Sequence, residues 1–361
     1  MTAPIRTALA ALAIGLVGIA PAVAQSNFYA GKTIKMILNI GAGGATGIQA
    51  RLFADNWKKH MAGDPDIIVE PIPGGANMKG AFQVEKGSRP DGLTVGWLVG
   101  IGGVSLLGPP ATRISPAPFK NSVIAGISSN IVVYARKGIG AGIKSPADIV
   151  KVGKVKLGGL RPASPNDLVG RFALQALGVK YDYVTGYKGG ADINAALLRN
   201  EVDVAVTPAA SYLTRIDRNT VKAGLGIPLW YYAATNADGK IVHNEALEKA
   251  GVKPFREVYR EIKGKAPSGK DWDALQWIIN AQVTWLVVAV PGTPEAQLKA
   301  LRDGFWKTVD DPTYRAIVTK RTGLMPNFEK PADTVRALNA SLHVDKGLAT
   351  YMQGVIAAGQ K

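Results

Sequence analysis

Two short glycine-rich segments are the residues of this sequence best suited to bind a small molecule. Residues 41–47 read Gly-Ala-Gly-Gly-Ala-Thr-Gly, and residues 71–77 read Pro-Ile-Pro-Gly-Gly-Ala-Asn. Glycine has no Cβ atom, so backbone N–H groups in such a segment can approach an oxygen-rich ligand closely. A helix that begins directly afterwards adds the positive end of its dipole. Each segment therefore predicts a site for an anion.

The glycine spacing does not match the nucleotide-binding fingerprints. Thr46 stands where a dinucleotide-binding loop has its third glycine, and no Gly-Lys-Ser/Thr follows for a nucleoside triphosphate loop. A single segment of this kind could be a tight turn without a ligand. Two of them in successive strand–helix units, ending at Thr46 and Asn77, favour a binding site.

Searches of the sequence for catalytic and metal-binding motifs find none. There is no Gly-x-Ser-x-Gly elbow, no Ser-x-x-Lys and no His-Glu-x-x-His. The chain has no cysteine, and its three histidines are far apart, so we expect no metal and no cofactor. An exported enzyme acting on a small acidic substrate, with Lys188 or Asp203 as its reactive group, stays open as the alternative. A scaffold or adhesin would need an exposed repeat or interaction stripe, which the sequence lacks, and binding without catalysis is the leading prediction.

The charge of the chain is strongly basic. It has 43 Lys and Arg against 27 Asp and Glu, a net charge of +16, in a sequence that is 47% hydrophobic. Such a field can draw in a small anion, or the charges can simply be solvated. The basic residues are scattered and accompany no zinc-finger, basic-region or ribonucleoprotein motif, so we expect no nucleic-acid partner.

The first 24 residues have the pattern of a secretory signal peptide. Arg6 supplies the positive charge, residues 8–20 are uncharged, and Ala22-Val23-Ala24 offers the small side chains that signal peptidase requires. The apolar run is shorter than the roughly 18–20 residues that cross a bilayer. The sequence therefore predicts cleavage after Ala24 and a periplasmic mature protein.

Alternating strand and helix patterns position the two glycine-rich segments. Apolar runs at 34–40 and 67–69 precede them, and helical spacing of apolar residues follows each one. From about residue 127 the same alternation restarts, with helix starts at Ser145-Pro146 and Ser164-Pro165. This order predicts an α/β protein with mostly parallel sheets flanked by helices, in two units.

The motifs resemble the periplasmic receptor family of tripartite tricarboxylate transporters, the Bug or TctC-type solute-binding proteins. The matching segments are Ala42 to Arg51, Glu70 to Ala81, Pro90-Asp91-Gly92-Leu93-Thr94, Tyr187-Lys188-Gly189-Gly190-Ala191 and Pro291-Gly292-Thr293-Pro294. The resemblance covers nearly the whole mature chain except residues 233–282. Gly47 replaces an aspartate that the family usually has there, which removes a negative charge beside the pocket and favours an anionic ligand.

The resemblance implies a two-lobed, Venus-flytrap fold of the type II periplasmic-binding-protein kind. Lobe one would comprise residues 27–126 and 229–361, lobe two residues 127–228, with the hinge near 126–130 and 224–229. The ligand would be a mono- or dicarboxylate, aromatic ones included, and the partners would be the membrane subunits of a tripartite tricarboxylate-type transporter. We expect a monomer.

The resemblance also implies which residues bind the ligand. Backbone and side-chain groups of Ala45, Thr46, Ala76 and Asn77 would hold the carboxylate, and Arg161, Ser164 and Asn166 would face the variable end. The complete set of predicted binding residues is Gly43, Gly44, Ala45, Thr46, Gly75, Ala76, Asn77, Arg161, Ser164, Asn166 and Lys188.

Overall fold

A computed structural model describes residues 28–43, 45–75, 77–107, 114–233, 240–281 and 283–360, without the side chains of Ala45 and Thr322. The predicted signal peptide, Gly44 and Ala76 lie outside the described residues. Among the described residues, no helix combines the length and the hydrophobicity that crossing a bilayer requires.

The strands within the described residues form two sheets. The strands are β1 (Thr33–Leu38), β2 (Asp66–Pro71), β3 (Thr94–Val99), β4 (Val123–Ser128), β5 (Ile131–Arg136), β6 (Lys154–Gly158), β7 (Lys180–Val184), β8 (Val204–Pro208), β9 (Gly226–Tyr232), β10 (Trp285–Ala289) and β11 (Asn327–Glu329). Sheet one has the order β11-β4-β10-β3-β1-β2, and sheet two has the order β7-β6-β8-β5-β9.

Helices cover the sheets. The α-helices are α1 (Ala45–Trp57), α2 (Met78–Glu85), α3 (Pro165–Ala176), α4 (Gly190–Leu198), α5 (Ala209–Ser211), α6 (Glu245–Lys249), α7 (Phe255–Lys263), α8 (Lys270–Ala281), α9 (Glu295–Asp310), α10 (Pro312–Thr322), α11 (Pro331–Leu342) and α12 (Lys346–Ala358). A π-helix, Tyr212–Val221, continues directly from α5. Short 3-10 helices lie at Lys58–His60, Gly103–Leu107, Ala117–Ser122 and Pro146–Lys151.

The predicted α/β class is confirmed, but the sheets are mixed rather than mostly parallel. In sheet one, β1 pairs in parallel with β2 and β3, whereas β10 lies antiparallel between β3 and β4. In sheet two, β6 is parallel to β7 and β8, and β5 is antiparallel to β8 and β9. In each sheet, the strand that follows the passage from the other sheet runs antiparallel to both of its neighbours. The parallel arrangement that the sequence pattern predicts is kept by β1, β2 and β3 in sheet one and by β6, β7 and β8 in sheet two.

The segment that the family resemblance does not cover packs on sheet two. Phe255 of α7 contacts Trp230 and Tyr232 of β9, with ring centroids 5.2 and 5.8 Å apart, and stacks on Trp272 of α8 at 6.1 Å. Met352 of α12 is buried in the same core. The sequence prediction placed everything from residue 229 in lobe one, and the apolar contacts place these three helices beside sheet two instead. The residue limits of the two lobes stay a prediction.

The chain passes from sheet one to sheet two through Ser129 and Asn130 alone, between β4 and β5. Asn130 Nδ2 donates to the Tyr232 carbonyl at 3.0 Å, and Asn244 Nδ2 donates to Asn130 Oδ1 at 2.7 Å. The first crossover therefore lies in the predicted hinge at 126–130. The second one does not lie at 224–229, because β9 pairs with β5 as far as Tyr232, opposite Ile131.

Candidate ligand-binding site

The first glycine-rich segment connects β1 to α1 at the carboxyl edge of sheet one. Trp285 of β10 donates its indole N–H to Thr46 Oγ1 at 3.0 Å, and Arg51 Nη2 donates to the Ala42 carbonyl at 3.0 Å. Gly43 is exposed, and a Cβ atom there would meet nothing within 4 Å. The Thr46 hydroxyl accepts one hydrogen bond and keeps its own hydrogen to donate. The segment is thus held at Ala42 and at Thr46, and Gly43 is exposed to solvent.

Gly47 allows this segment to fold back over the first turn of α1. A Cβ atom on residue 47 would lie 2.1 Å from the Ala42 carbonyl oxygen and 2.5 Å from its carbon. Real Cβ atoms do not come so close to backbone, so a side chain here would displace the loop. The sequence analysis noted that Gly47 lacks the negative charge of the aspartate that the family usually has at this position. The structure shows that the position also has no room for a side chain.

The second glycine-rich segment connects β2 to α2 and takes a left-handed backbone. Gly75 has φ +56° and Asn77 has φ +75°, a region that Gly and Asn enter at low cost. The Asn77 carbonyl accepts a hydrogen bond from Asn39 Nδ2 at 3.1 Å. Because β1 and β2 are parallel neighbours, both glycine-rich segments leave the sheet at the same edge.

Asn39 is a positioning residue that the sequence analysis missed. Its side chain is fully buried directly after β1. The amide accepts from the Val99 N–H and donates to the Val99 carbonyl, both at 2.8 Å, while also donating to Asn77. One amide thus joins the ends of β1 and β3 to the second loop. One signal in the sequence could have identified Asn39: it is a polar residue that directly follows an apolar strand and lies next to a glycine cluster.

Sheet two carries a cavity of about 350 Å³ at the carboxyl ends of β6 and β8. The first turns of α3 and α4 form part of its wall, so two positive helix ends lie beside it. Its lining residues are Leu160, Asn166, Asp167, Gly190, Ala191, Ile193, Asn194, Val206, Thr207, Pro208, Ser211, Arg215 and Ile216. Of the lobe-two residues that the sequence predicted, Asn166 alone lines it.

Ser164 serves the helix rather than the cavity. It is the N-cap of α3, and its hydroxyl donates to Asp167 Oδ1 at 3.1 Å. Asp167 Oδ2 accepts from the N–H groups of Leu160 at 2.6 Å and Arg161 at 3.0 Å and from the Tyr183 hydroxyl at 2.7 Å. Burial raises the pKa of Asp167 above its usual range, and these hydrogen bonds oppose the rise.

The other two predicted lobe-two residues also lie outside the cavity lining. Arg161 is exposed and binds Asp167 through its backbone, and Lys188 is exposed beside the start of α4. The sequence analysis predicted that both residues bind the ligand. In the structure, the turn before α3 directs the backbone N–H of Arg161, rather than its side chain, at Asp167. The cavity is lined instead by other polar residues, namely Asn194, Thr207, Ser211 and Arg215.

Residues that follow the first glycine-rich segment and the strand β8 line one narrow space between the sheets. A narrow space of about 50 Å³ is lined on one side by Gln49 and Trp285, and on the other by Ala209 and Ala210. Gln49 lies one turn beyond Thr46 on α1, and Ala209 follows Pro208 of the cavity wall.

Asp203 has a structural role at the end of sheet two. Arg136 Nε donates to its Oδ1 at 2.7 Å, and the Lys156 N–H donates to its Oδ2 at 2.8 Å. Within the described part of the chain, no group of three or more His, Asp or Glu side chains could hold a metal ion.

The described part of the chain folds into two sheets that are covered by helices. No family model matches the chain. A UPF0065 protein of Cupriavidus necator, named for the gbd 5' region, is 27% identical over 323 residues, which are 87% of this chain and 85% of that protein. A TctC solute-binding protein from Polaromonas, solved without ligand, superposes with a TM-score of 0.64 at 19% identity, covering 91% of this chain and 99% of that one.

A second solved structure is a Rhodopseudomonas palustris protein with adipate, which superposes with a TM-score of 0.60 at 17% identity and covers 90% of this chain and 98% of that one. The chain has the fold of these proteins. The resemblance to the TctC and Bug-type solute-binding proteins that the sequence motifs predicted is thus confirmed.

Proposed function

We propose that this protein is an extracytoplasmic solute-binding protein that captures a small carboxylate between its two lobes. The observation that carries the proposal is the placement of two glycine-rich loops at one edge of sheet one, together with a cavity of sheet two that is lined by polar side chains. Loops with open backbone at Gly43 and left-handed backbone at Gly75 and Asn77 suit an acidic group better than a neutral one.

Charge and the comparisons support the same ligand class. The net charge of +16 favours the approach of an anion. No acidic side chain occurs in residues 41–47 or 71–77, so nothing within either loop repels a carboxylate. The structurally similar R. palustris protein was solved with adipate, a dicarboxylate.

The mechanism is closure of the two lobes on the ligand. A ligand that contacts both lobes binds the closed state more tightly and shifts the population toward it. The crossover at Ser129 and Asn130 is short enough to act as a hinge. The membrane subunits of a tripartite tricarboxylate-type transporter would then recognise the closed form. The protein would act in the periplasm as a monomer, after residues 1–24 have been removed.

An exported enzyme is the less well supported alternative. Asp203 is committed to Arg136 and to a backbone N–H group, and Lys188 is exposed and absent from the cavity wall. Among the described residues, the side-chain oxygens of Asp203 bond a guanidinium and a backbone N–H group. Neither group can act as a general base or as a nucleophile.

The proposal is tested by titration calorimetry with carboxylates, followed by Thr46→Ala combined with Asn77→Gly. Glycine at position 77 removes the amide while tolerating the left-handed backbone. We expect the double variant to weaken carboxylate binding by more than tenfold, about 1.4 kcal/mol. Asn200→Gly is the matched control, because Asn200 also has a left-handed backbone, with φ +64°, and lies outside the cavity wall. Stabilisation by a neutral sugar but by no carboxylate would refute the proposal.

A further inference from the structure

One end of sheet two carries basic side chains in excess of its acidic ones. Lys154 and Lys180 are the first residues of β6 and β7, and they lie opposite each other in the register of these strands. Lys154 forms an ion pair with Asp182 at 2.6 Å, whereas Lys180 is exposed and has no acidic partner among the described residues. The cavity lies at the carboxyl end of β6, so these lysines lie at the opposite end of the sheet.

The loop after β5 brings two more lysines to this end. Lys137 directly follows β5, and its carbonyl accepts a hydrogen bond from the Ile143 N–H at 2.9 Å, which brings Lys144 close to it. Both lysines are exposed, and neither forms an ion pair with a described residue. Because β5 runs antiparallel to β8, its carboxyl end lies beside the amino ends of the parallel strands β6 and β8.

Helix α7, from the segment that the family resemblance does not cover, extends this basic surface. Arg256, Arg260 and Lys263 follow one another at intervals of four and three residues, so they lie on one face of the helix. Arg260 and Lys263 are exposed and have no acidic partner among the described residues. The Lys263 ammonium lies 3.9 Å from the position that a Cβ atom on Gly178 would take, two residues before Lys180. The cations of α7 and of sheet two are therefore neighbours.

Acidic side chains beside this surface do not neutralise it, because they are paired with other basic residues. The ion pairs join Asp148 to Lys151, Asp182 to Lys154, Asp203 to Arg136 and Glu261 to Lys253, at N–O distances of 2.6 to 2.8 Å. The unpaired cations, which we call the basic face, are Lys137, Lys144, Lys180, Arg260 and Lys263. Like charges that lie together repel one another, and an anionic partner would relieve this repulsion.

Two large apolar side chains are exposed beside the basic face. Val150 is 39% exposed in the 3-10 helix that contacts α7. Leu225 is 52% exposed, and its carbonyl accepts a hydrogen bond from the Lys137 N–H at 2.9 Å. An anionic bilayer has phosphate groups at its surface and apolar chains directly below them, so it suits both kinds of side chain. An acidic protein surface would suit the charges alone.

We propose that the basic face binds the surface of an anionic phospholipid bilayer. The cavity of sheet two lies at the opposite end of the strands, so a bilayer on this face leaves the cavity uncovered. Binding to the bilayer raises the effective concentration of the protein near any membrane partner. This inference goes beyond the proposed function and does not depend on which ligand the protein captures.

The experiment is co-sedimentation with lipid vesicles, using the chain that begins at Gln25. Residues 1–24 are left out because their uncharged run could bind a bilayer by itself. We expect binding to an equal mixture of phosphatidylcholine and phosphatidylglycerol, no binding to phosphatidylcholine alone, and a steep loss of binding as salt is raised.

The test variant combines Lys144→Gln, Lys180→Gln and Lys263→Gln. Each Lys or Arg near an anionic bilayer contributes about fivefold in affinity, so the triple variant should bind the mixed vesicles on the order of a hundredfold more weakly. An unchanged midpoint in urea denaturation will show that this loss does not come from unfolding.

The matched control combines Lys307→Gln, Lys320→Gln and Arg321→Gln. These residues are exposed on α9 and α10, which pack on sheet one, and the control removes the same net charge. We expect the control to bind the mixed vesicles within about twofold of wild type, since it leaves the basic face intact.

Three outcomes would overturn the proposal. The first is equal loss of binding in the test and control variants, which would mean that net charge rather than this face attracts the lipid. The second is equal binding of the wild-type chain to neutral and mixed vesicles. The third is failure to bind the mixed vesicles; binding to immobilised polyglutamate in that case would assign the face to an acidic protein instead.

Discussion

Replacement of Gly47 by alanine should damage the first glycine-rich loop. The new Cβ would lie 2.1 Å from the Ala42 carbonyl oxygen, whereas ordinary contacts begin near 3.4 Å, so the carbonyl must retreat by more than an ångström. The same carbonyl accepts the hydrogen bond from Arg51. The substitution therefore pushes the loop away from α1 and breaks the contact that holds it there.

Two opposing effects set the magnitude. Alanine is favoured over glycine within a helix by about 1 kcal/mol, and overpacking of backbone costs about 1–3 kcal/mol. The net loss of unfolding free energy should thus be about 0–2 kcal/mol. The loss of affinity should be larger, because hydrogen bonds need donor–acceptor distances of about 2.7–3.2 Å and those to a charged group contribute about 1.5–3 kcal/mol each. We expect carboxylate binding to weaken about tenfold to a hundredfold.

The assay combines urea denaturation with calorimetric titration of the tightest carboxylate. Gly354→Ala is the matched control, because Gly354 lies exposed within α12 and a Cβ atom there meets nothing within 4 Å. That variant should gain up to about 1 kcal/mol of stability and bind normally. If Gly47→Ala were stabilised like the control and bound the carboxylate with unchanged affinity, the steric argument for the loop would be refuted.

Two further predictions concern stability away from the ligand. Ser164→Ala should lower the unfolding free energy by about 1 kcal/mol through loss of the N-cap of α3, with carboxylate affinity unchanged in calorimetry; a tenfold loss of affinity would show that Ser164 contacts the ligand after all. Burial raises the pKa of Glu329, and a hydrogen bond from Ser128 opposes this rise. The wild-type glutamate therefore contributes stability at pH values below its unfolded pKa, and this contribution is lost as the pH rises through the folded pKa. Glu329→Gln should therefore gain stability relative to wild type as the pH rises above 4.5 in urea denaturation, and a difference that does not change with pH would contradict this.

Much of the local structure in both lobes could be predicted from the sequence because its signals are local. The apolar run before Gly41 forms β1, the second glycine cluster leads into α2, and Ser164-Pro165 starts α3. Each depends on residues within one turn or one strand. Binding-site prediction was less complete, because Asn194, Thr207 and Arg215 belong to different elements that meet only when sheet two folds.

By itself, the sequence determined the alternation of strands and helices, the two glycine-rich loops and the class of protein that they resemble. Only the tertiary structure decided that β10 lies antiparallel between β3 and β4, and that residues 255–281 pack on sheet two. It also decided that Asn39 joins two strand ends to the second loop, and which polar groups line the cavity. The physical reason is range: backbone conformation and helix caps follow from neighbours in the chain, whereas strand order and the convergence of side chains depend on contacts between residues far apart in it.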